Sequence, residues 1–131
     1  GNFAASLVMR GPGPMEQCAL RSFVAALALA EALDGLTGRP ELLALKWPND
    51  VLLQGGKLAG ILLETSGAHL TIGIGVNLVA APSAAEVEEH AVPPACLLGA
   101  TGLRVTPEDF LTPLAARFAH HEASLTTYGL A

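Results

Sequence analysis

The stretch HLTIGIGVNLV, residues 69–79, alternates between aliphatic and small or polar side chains along its length. A period of two predicts a β-strand whose two faces differ. The aliphatic face carries Leu70, Ile72, Ile74, Val76 and Leu78. The opposite face carries Thr71, Gly73, Gly75 and Asn77. The two glycines either let a helix pack closely on this face or form the floor of a shallow groove, in which Asn77 supplies a hydrogen-bonding amide.

Shorter apolar runs on the N-terminal side of this stretch predict further strands in hairpin order. They lie at residues 3–9, 42–47, 51–53 and 58–63. The connecting segments are rich in turn-forming residues, with RGPGP at 10–14, QGG at 54–56 and SGA at 66–68. Because successive strands are joined by short turns, we predict a mixed or antiparallel sheet.

Two long helices are predicted, one before and one after the main group of strands. Residues 15–36 are rich in alanine and leucine and carry few charges, which favours one long, heavily buried helix with Gly35 and Gly38 as stop signals. Thr106 suits the N-cap of a second helix that runs towards Leu125. Strands in hairpin order between two helices indicate an α+β fold, in which the sheet packs against the helices.

Composition and charge exclude several kinds of partner. The chain has 131 residues, enough for one domain or a large part of one, and a formal net charge of −5. No two lysines or arginines are adjacent, so we expect no nucleic-acid partner, which would require clustered cations to neutralise phosphates. We also expect no membrane span, because no apolar run approaches the roughly 20 residues that cross a bilayer.

We do not interpret the cysteines and histidines of the chain as a catalytic or metal-binding site. Cys18 and Cys96 stand apart from each other and from any histidine at metal-ligand spacing, and we interpret both as small buried residues. The absence of a disulfide pattern predicts a reducing, cytoplasmic compartment. The acidic segment EVEEH at residues 86–90 is expected to be solvated surface, and His120 and His121 are assigned no catalytic role.

The segment KWPND, residues 46–50, places an amide and a carboxylate directly after a proline at a strand end. Pro48 fixes its own φ angle and favours an extended Trp47. Asn49 and Asp50 are thereby held with little freedom, which lowers the entropy lost when a ligand or metal ion binds. The same residues are also common in ordinary turns, and the spacing alone leaves both interpretations open.

The segment GKLAGIL, residues 56–62, contains a lysine at the start of an apolar strand and a glycine inside it. Glycine weakens a strand unless something must approach the backbone closely, and a flat apolar ligand lying on Gly60 and Leu62 would explain its presence. Lys57 could then hold a phosphate as a point charge. Strict alternation, however, puts Lys57 and Gly60 on opposite faces, so a bulge or the reach of the lysine is needed to bring them together.

Taken together, these motifs resemble the central motifs of biotin–protein ligases. The resemblance rests on KWPND at 46–50, KLAGILLE at 57–64 and GIGVNL at 73–78, with support from GNF at 1–3 and the alanine-rich helix. It covers residues 1–80, and the rest of the chain is similar only loosely, as the closing helix of the family. It implies the catalytic fold of the biotin/lipoate ligases, which is similar to that of class II synthetases.

The resemblance also implies a two-step reaction. ATP and biotin, with Mg²⁺, would first give biotinyl-5'-adenylate and pyrophosphate. The biotinyl group would then pass to a lysine on the biotin carboxyl carrier domain of a biotin-dependent carboxylase. The activity implied is that of a biotin–[acetyl-CoA-carboxylase] ligase.

The roles of individual residues follow from the matching positions. Lys57 would be the catalytic residue, contacting the biotin carboxylate and the α-phosphate and stabilising negative charge as they react. Gly60 and Leu62 would line the biotin pocket beside it. Nucleotide binding would fall to Lys46, Trp47, Asn49, Asp50 and Asn77. Of these, Asp50 is the expected contact to Mg²⁺ carried by ATP, and Trp47 would pack near the adenine.

The sequence departs from the family pattern at both ends. The family has a Gly-Arg-Gly-Arg type loop just before the position that matches Gly1, and a small β-barrel after the closing helix. We therefore interpret residues 1–131 as a partial catalytic domain that lacks the biotin-loop segment and the barrel. Apolar surface left uncovered, together with an exposed sheet edge, makes a homodimer one expected assembly.

Two other functions remain open. A lipoate–protein ligase or octanoyltransferase shares the fold and the transfer of an acyl group to lysine, although the WPND run at residues 47–50 favours the biotin branch. A non-catalytic fragment that binds the same ligands without transferring anything is the second alternative. Competition binding of biotin against lipoate distinguishes a lipoate–protein ligase or octanoyltransferase from a biotin ligase. Ligand binding without turnover identifies a non-catalytic fragment.

We predict that the chain alone has little or no ligase activity, because a covering loop normally excludes water from the reactive mixed anhydride. The measurement is transfer of labelled biotin to an acceptor domain in the presence of ATP. Robust transfer by the 131-residue chain would contradict this expectation.

Overall fold

The computed structural model of the chain describes residues 1–11, 13–46, 49–83 and 92–129. Its strands are β1 (Phe3–Arg10), β2 (Leu43–Lys46), β3 (Asp50–Leu53), β4 (Gly56–Ser66) and β5 (His69–Val76). Its helices are α1 (Met15–Thr37), α2 (Leu97–Thr101) and α3 (Pro107–Tyr128), and a short 3₁₀ turn spans Pro40–Leu42.

The five strands form one sheet in the order β1-β5-β4-β3-β2, and every neighbouring pair is antiparallel. The hairpin between β3 and β4 turns through Gln54 and Gly55, which both adopt positive φ, at 49° and 83°. Such a two-residue turn matches the right-handed twist of the strands it joins. The predicted α+β fold is confirmed, with the sheet antiparallel throughout.

The sheet has one covered face and one bare face. On β5 the aliphatic side chains at positions 70, 72, 74 and 76 are buried, as the alternating pattern predicts. Helix α1 packs on this side, against β2, β3, β4 and β5. Gly73 and Gly75 lie on the opposite side, where they line an open groove. The interpretation that these glycines admit a closely packed helix is therefore wrong.

The helices begin and end close to the predicted positions. Gly38 caps α1 in the left-handed conformation, at φ 66°, whereas Gly35 lies inside the helix. Thr106 is the N-cap of α3, and its hydroxyl oxygen accepts a hydrogen bond from the Asp109 amide at 3.1 Å. Cys18 is buried as expected. Cys96 is only half-buried, and its sulfur accepts a hydrogen bond from the Gly99 amide at the start of α2.

An ion pair between buried Arg21 and partly exposed Glu122 joins α1 to α3. Arg21 is 4% exposed, and its guanidinium donates two hydrogen bonds to the Glu122 carboxylate, at 2.6 and 3.0 Å. A third hydrogen bond, at 3.1 Å, goes to the Gln17 carbonyl one turn earlier in α1. A bidentate contact of this kind fixes both the spacing and the rotation of the two helices.

Two further contacts complete the helix layer. The rings of Phe3 in β1 and Phe110 in α3 meet edge to face, with centroids 5.1 Å apart. His121 in α3 lies 2.6 Å from a carboxylate oxygen of Glu31 in α1. None of the helices in the described ranges is both long and apolar enough to cross a membrane.

Replacing Glu122 with alanine should lower the free energy of unfolding by about 3 kcal/mol, because the Arg21 charge stays buried without its partner. Urea denaturation of the chain measures this. In the double variant Arg21→Met/Glu122→Leu most of the loss should be recovered, since a well-packed apolar pair has no charge to desolvate.

The matched control is Glu41→Ala. Glu41 belongs to the ion pair with Arg39, whose side chains are each 63% exposed, so its removal should change stability far less. Equal losses in the two single variants would contradict the assignment of a structural role to the Arg21–Glu122 pair.

Candidate functional site

The bare face of the sheet contains a groove of about 440 Å³. It is lined by Asn49, Asp50, Lys57, Gly60, Ile61, Leu62, Gly73 and Gly75. Residues from β3, β4, β5 and the β2–β3 turn thus meet at one place. Most of them come from the three sequence motifs noted above, which the fold therefore brings together.

A β-bulge in β4 brings Lys57 into this groove. Asp50 and Val51 pair with residues 60 and 59, but Leu52 and Leu53 pair with residues 57 and 56, so Leu58 is an extra residue in β4. Leu58 and Ala59 are consecutive, yet both are buried, at 1% and 2% exposed. One inserted residue reverses the alternation on its N-terminal side. Lys57 and Gly60 consequently lie on the same face, as the sequence alone could not establish.

The ammonium of Lys57 lies across Gly60. Its Nζ is 3.3 Å from Oδ1 of Asp50, with the lysine side chain 47% exposed and the aspartate 25% exposed. A Cβ atom placed on Gly60 would lie 3.4 Å from Cε and 3.5 Å from Nζ of Lys57. A side chain larger than that of alanine at position 60 would therefore compete with the lysine for this space.

The floor of the groove is flat because glycines face one another across the strands. Gly60 pairs with Gly75, and Leu62 pairs with Gly73, in the register of β4 and β5. No heavy atom lies within 4 Å of a Cβ built on Gly75. Leu62 is 60% exposed and provides an apolar wall. One cation, one carboxylate and an apolar floor suit a ligand with an anionic end and a flat apolar body.

The backbone of Lys57 is held by a segment far along the chain. Its amide donates to the Pro93 carbonyl at 2.8 Å, and its carbonyl accepts from the Ala95 amide at 2.9 Å. Gly56 makes the approach possible, because a Cβ there would lie 2.7 Å from Cβ of Ala95. Sequence reasoning missed this contact, since residues 92–96 carry no motif that marks them as strand partners.

Asn77 holds the same segment in place. Its side-chain amide donates to the Ala95 carbonyl at 3.1 Å and to the Lys57 carbonyl at 3.5 Å, and its backbone amide donates to the Leu58 carbonyl at 2.9 Å. These contacts secure the bulge on the side of β5. Nucleotide binding by Asn77 stays a prediction. The hydrogen bonds that its side chain makes in the structure go to backbone carbonyls.

Asn49 is fixed from two directions at the rim of the groove. Its backbone carbonyl accepts a hydrogen bond from the Ile61 amide at 3.0 Å. Its side-chain oxygen accepts from the hydroxyl of Ser22 in α1 at 2.6 Å. The second contact was not anticipated, because Ser22 lies in an apolar helical stretch without any local signal of a functional role.

Some predicted residues fall outside this cluster. Lys46 is exposed at the end of β2, opposite Asp50 in the register of β2 and β3. Trp47 and residues 86–90 lie outside the described part of the chain. Within that part, no group of three or more His, Cys, Asp and Glu side chains could hold a metal ion.

The ionisable groups between α1 and α3 form a separate cluster. Partial burial and the neighbouring Glu31 carboxylate raise the pKa of Asp34. Arg117 in α3 lies 4.0 Å from Glu31. These groups lie on the helix layer, behind the covered face of the sheet, so they take no direct part in the groove.

Comparison with known proteins gives a consistent result. The Biotin/lipoate A/B protein ligase family matches residues 1–77. A biotin–[acetyl-CoA-carboxylase] ligase of Paracoccus denitrificans is 54% identical over 136 aligned residues, which cover 100% of this chain and 57% of that protein. A second such ligase, from Mycobacterium tuberculosis, is 41% identical over 70 residues, covering 53% of this chain and 26% of its own length.

Solved structures resemble the whole described fold. A biotin protein ligase from Aquifex aeolicus, in complex with biotin and ATP, superposes with a TM-score of 0.81 at 28% identity. The match covers 98% of this chain and 53% of that one. The chain thus spans little more than half the length of these Paracoccus and Aquifex proteins.

Valine at position 60 should displace the Lys57 ammonium from Asp50, whereas alanine should be tolerated. A Cβ makes only ordinary contacts there, but the branched methyl groups would occupy the space of Cε and Nζ. NMR signals of the Lys57 ammonium and the Asp50 carboxyl report the displacement. Gly75→Val is the control, because its surroundings are open, and it should leave both signals in place. Unchanged signals in Gly60→Val would contradict the steric role of Gly60.

Proposed function

Because the chain belongs to the Biotin/lipoate A/B protein ligase family, we propose that residues 1–131 form part of the catalytic domain of an ATP-dependent biotin–protein ligase. The reaction proposed is formation of biotinyl-5'-adenylate, followed by transfer of biotin to a lysine of a carboxylase carrier domain. The name of the Paracoccus relative supports the class of acceptor, and the Aquifex complex supports the two small substrates.

The observation that carries the proposal is the position of the Lys57 ammonium. The bulge at Leu58 turns it onto the bare face of the sheet, beside the glycine floor. Biotin has a compact bicyclic head with a planar ureido ring, an apolar chain and a terminal carboxylate. The apolar part fits the floor of Gly60 and the wall of Leu62, and the carboxylate then ends near the cation.

In the first step, a carboxylate oxygen of biotin attacks the α-phosphorus of ATP. A bond forms between this oxygen and phosphorus, and the bond from the α-phosphorus to the bridging oxygen breaks, releasing pyrophosphate. Both reacting groups are anionic, so a fixed cation between them lowers their repulsion and stabilises the charge that builds up on phosphorus. The half-exposed side chain of Lys57 at the groove supports this proposed role.

Asp50 orients the ammonium and is the proposed contact to Mg²⁺. Its Oδ1 lies 3.3 Å from Nζ of Lys57, which holds the lysine folded over Gly60 rather than extended into solvent. A single, partly exposed carboxylate fits Mg²⁺ that arrives on nucleotide phosphates, since that ion typically takes one or two protein carboxylates. When bound, the ion would neutralise charge on the departing pyrophosphate.

In the second step, the amine of the acceptor lysine attacks the acyl carbon of the mixed anhydride. A C–N bond forms, the C–O bond to phosphate breaks, and AMP leaves while the amine loses a proton. Among the described residues the helices pack on the other face, and this supports access of a long lysine side chain to the groove. The carrier domain would approach from this side.

The remaining nucleotide-binding residues are proposed with different degrees of structural support. Asn49 lines the groove and is held by two hydrogen bonds. Asn77 supports the backbone of Lys57. Lys46 is exposed opposite Asp50, which leaves it free to reach a phosphate. Trp47 remains assigned to the adenine site by resemblance alone, and a homodimer also stays a prediction.

Lys57→Met should reduce adenylate formation about 100-fold or more, as loss of one preorganised charge at a reacting oxyanion typically does. The substitution is made in an enzyme that joins this chain to the part of the Paracoccus ligase outside the matched region. Pyrophosphate release that depends on both biotin and ATP measures the first step. Transfer to a biotin carboxyl carrier domain measures the second.

Arg39→Met serves as the control, because Arg39 is an exposed cation that pairs with Glu41 outside the groove. It should leave both steps unchanged. Replacing biotin with lipoate tests the neighbouring branch of the family, and efficient use of lipoate would contradict the choice of substrate. Normal adenylate formation by Lys57→Met would overturn the proposed role of the groove.

A further inference from the structure

A hydrogen bond connects helix α1 to the β2–β3 turn at the rim of the groove. Ser22 lies in α1 and is 6% exposed, and its Oγ donates to Oδ1 of Asn49 at 2.6 Å. A serine inside a helix commonly bonds the carbonyl four residues earlier in its own helix. Here the hydroxyl reaches instead to the β2–β3 turn. The contact therefore serves Asn49 rather than α1.

The contact decides which end of the Asn49 amide is available to a ligand. Its oxygen is occupied by Ser22, and its backbone carbonyl is occupied by the Ile61 amide. Within the described ranges, no residue accepts a hydrogen bond from Nδ2 of Asn49, and no buried side-chain nitrogen or oxygen lacks a partner. The NH₂ group of Asn49, a residue that lines the groove, is therefore not fully buried among the described residues.

We propose that Ser22 is a positioning residue, which orients the Asn49 amide so that its NH₂ donates to an acceptor atom of ATP. The inference rests on the proposed function, because it takes the rim of the groove at Asn49 to be part of the nucleotide site. Ser22 itself touches no substrate. Its effect passes through Asn49, since a free amide can rotate and present its oxygen, which would meet an acceptor atom with the wrong polarity.

Removal of the hydroxyl should weaken ATP binding by a limited factor. In Ser22→Ala the Asn49 amide keeps its place in the turn, because the backbone bond to Ile61 remains. It loses only its fixed orientation. The expected increase in the dissociation constant for ATP is about fivefold, the typical effect of one neutral hydrogen bond.

The experiment is an ATP titration of the full 131-residue chain, followed by ¹⁵N NMR of the Asn49 side-chain amide. In the wild type, both NH₂ signals should shift with ATP. Dissociation constants are then compared for Ser22→Ala, Asn49→Ala and the double variant. If Ser22 acts through Asn49, the serine substitution should have no further effect once the asparagine is absent.

Cys18→Ala is the matched control. Cys18 is buried one helical turn before Ser22 in α1, and its substitution should leave ATP affinity unchanged. Asn49→Asp is a second probe, because it keeps an acceptor for the Ser22 hydroxyl and removes the donor. It should therefore weaken ATP binding without lowering the melting temperature by more than the control does.

Three results would overturn the inference. These are an NH₂ signal that does not respond to ATP, a Ser22→Ala variant with wild-type affinity, and an equal effect of that substitution in the Asn49→Ala background. Each can occur while the enzyme that carries Lys57 still forms adenylate, so this inference can fail separately. Loss of the biotin- and ATP-dependent reaction in the unmodified enzyme would instead remove the proposed function and this inference with it.

Discussion

The arrangement of the groove depends on a single extra residue in β4. Without the bulge at Leu58, strict alternation would bury the Lys57 side chain among the aliphatic residues beneath α1, where an ammonium without a partner is strongly disfavoured. With it, the same side chain lies beside Asp50 over a glycine floor. The bulge also leaves the Lys57 backbone available to pair with residues 93–95, which keep it in place.

The two faces of the sheet have different tasks, and the helix layer contributes to both. The aliphatic face of the sheet forms the core with α1, and the Arg21–Glu122 pair fixes α3 relative to α1. Because the covered face is tightly packed, the sheet can carry glycines on its bare face, where they leave open space although they contribute little to the stability of the strands. Ser22 extends the support of α1 to Asn49 in the β2–β3 turn.

Much of the fold could be predicted from the sequence, because its signals are local. The alternation in β5, the turn at Gln54 and Gly55, and the cap at Thr106 each follow from a few adjacent residues. Of the site residues expected by resemblance, Asn49, Asp50, Lys57, Gly60 and Leu62 line one groove, and their roles stay predictions. What the sequence did not reveal depends on long-range contacts. The alternation indicated that a bulge or the reach of Lys57 was needed but could not decide between them, and the bulge at Leu58 is the outcome. The bond from Ser22 leaves no periodic or compositional signal.

The backbone hydrogen bonds between Lys57 and residues 93–95 have a consequence for the order in which the site forms during synthesis. The ribosome adds the lysine well before it adds those partners. An unfinished polypeptide thus contains the ammonium but cannot hold its strand in the required shape. If Lys57 acts as proposed, an unfinished polypeptide would carry the ammonium before the later segment could hold it at the groove.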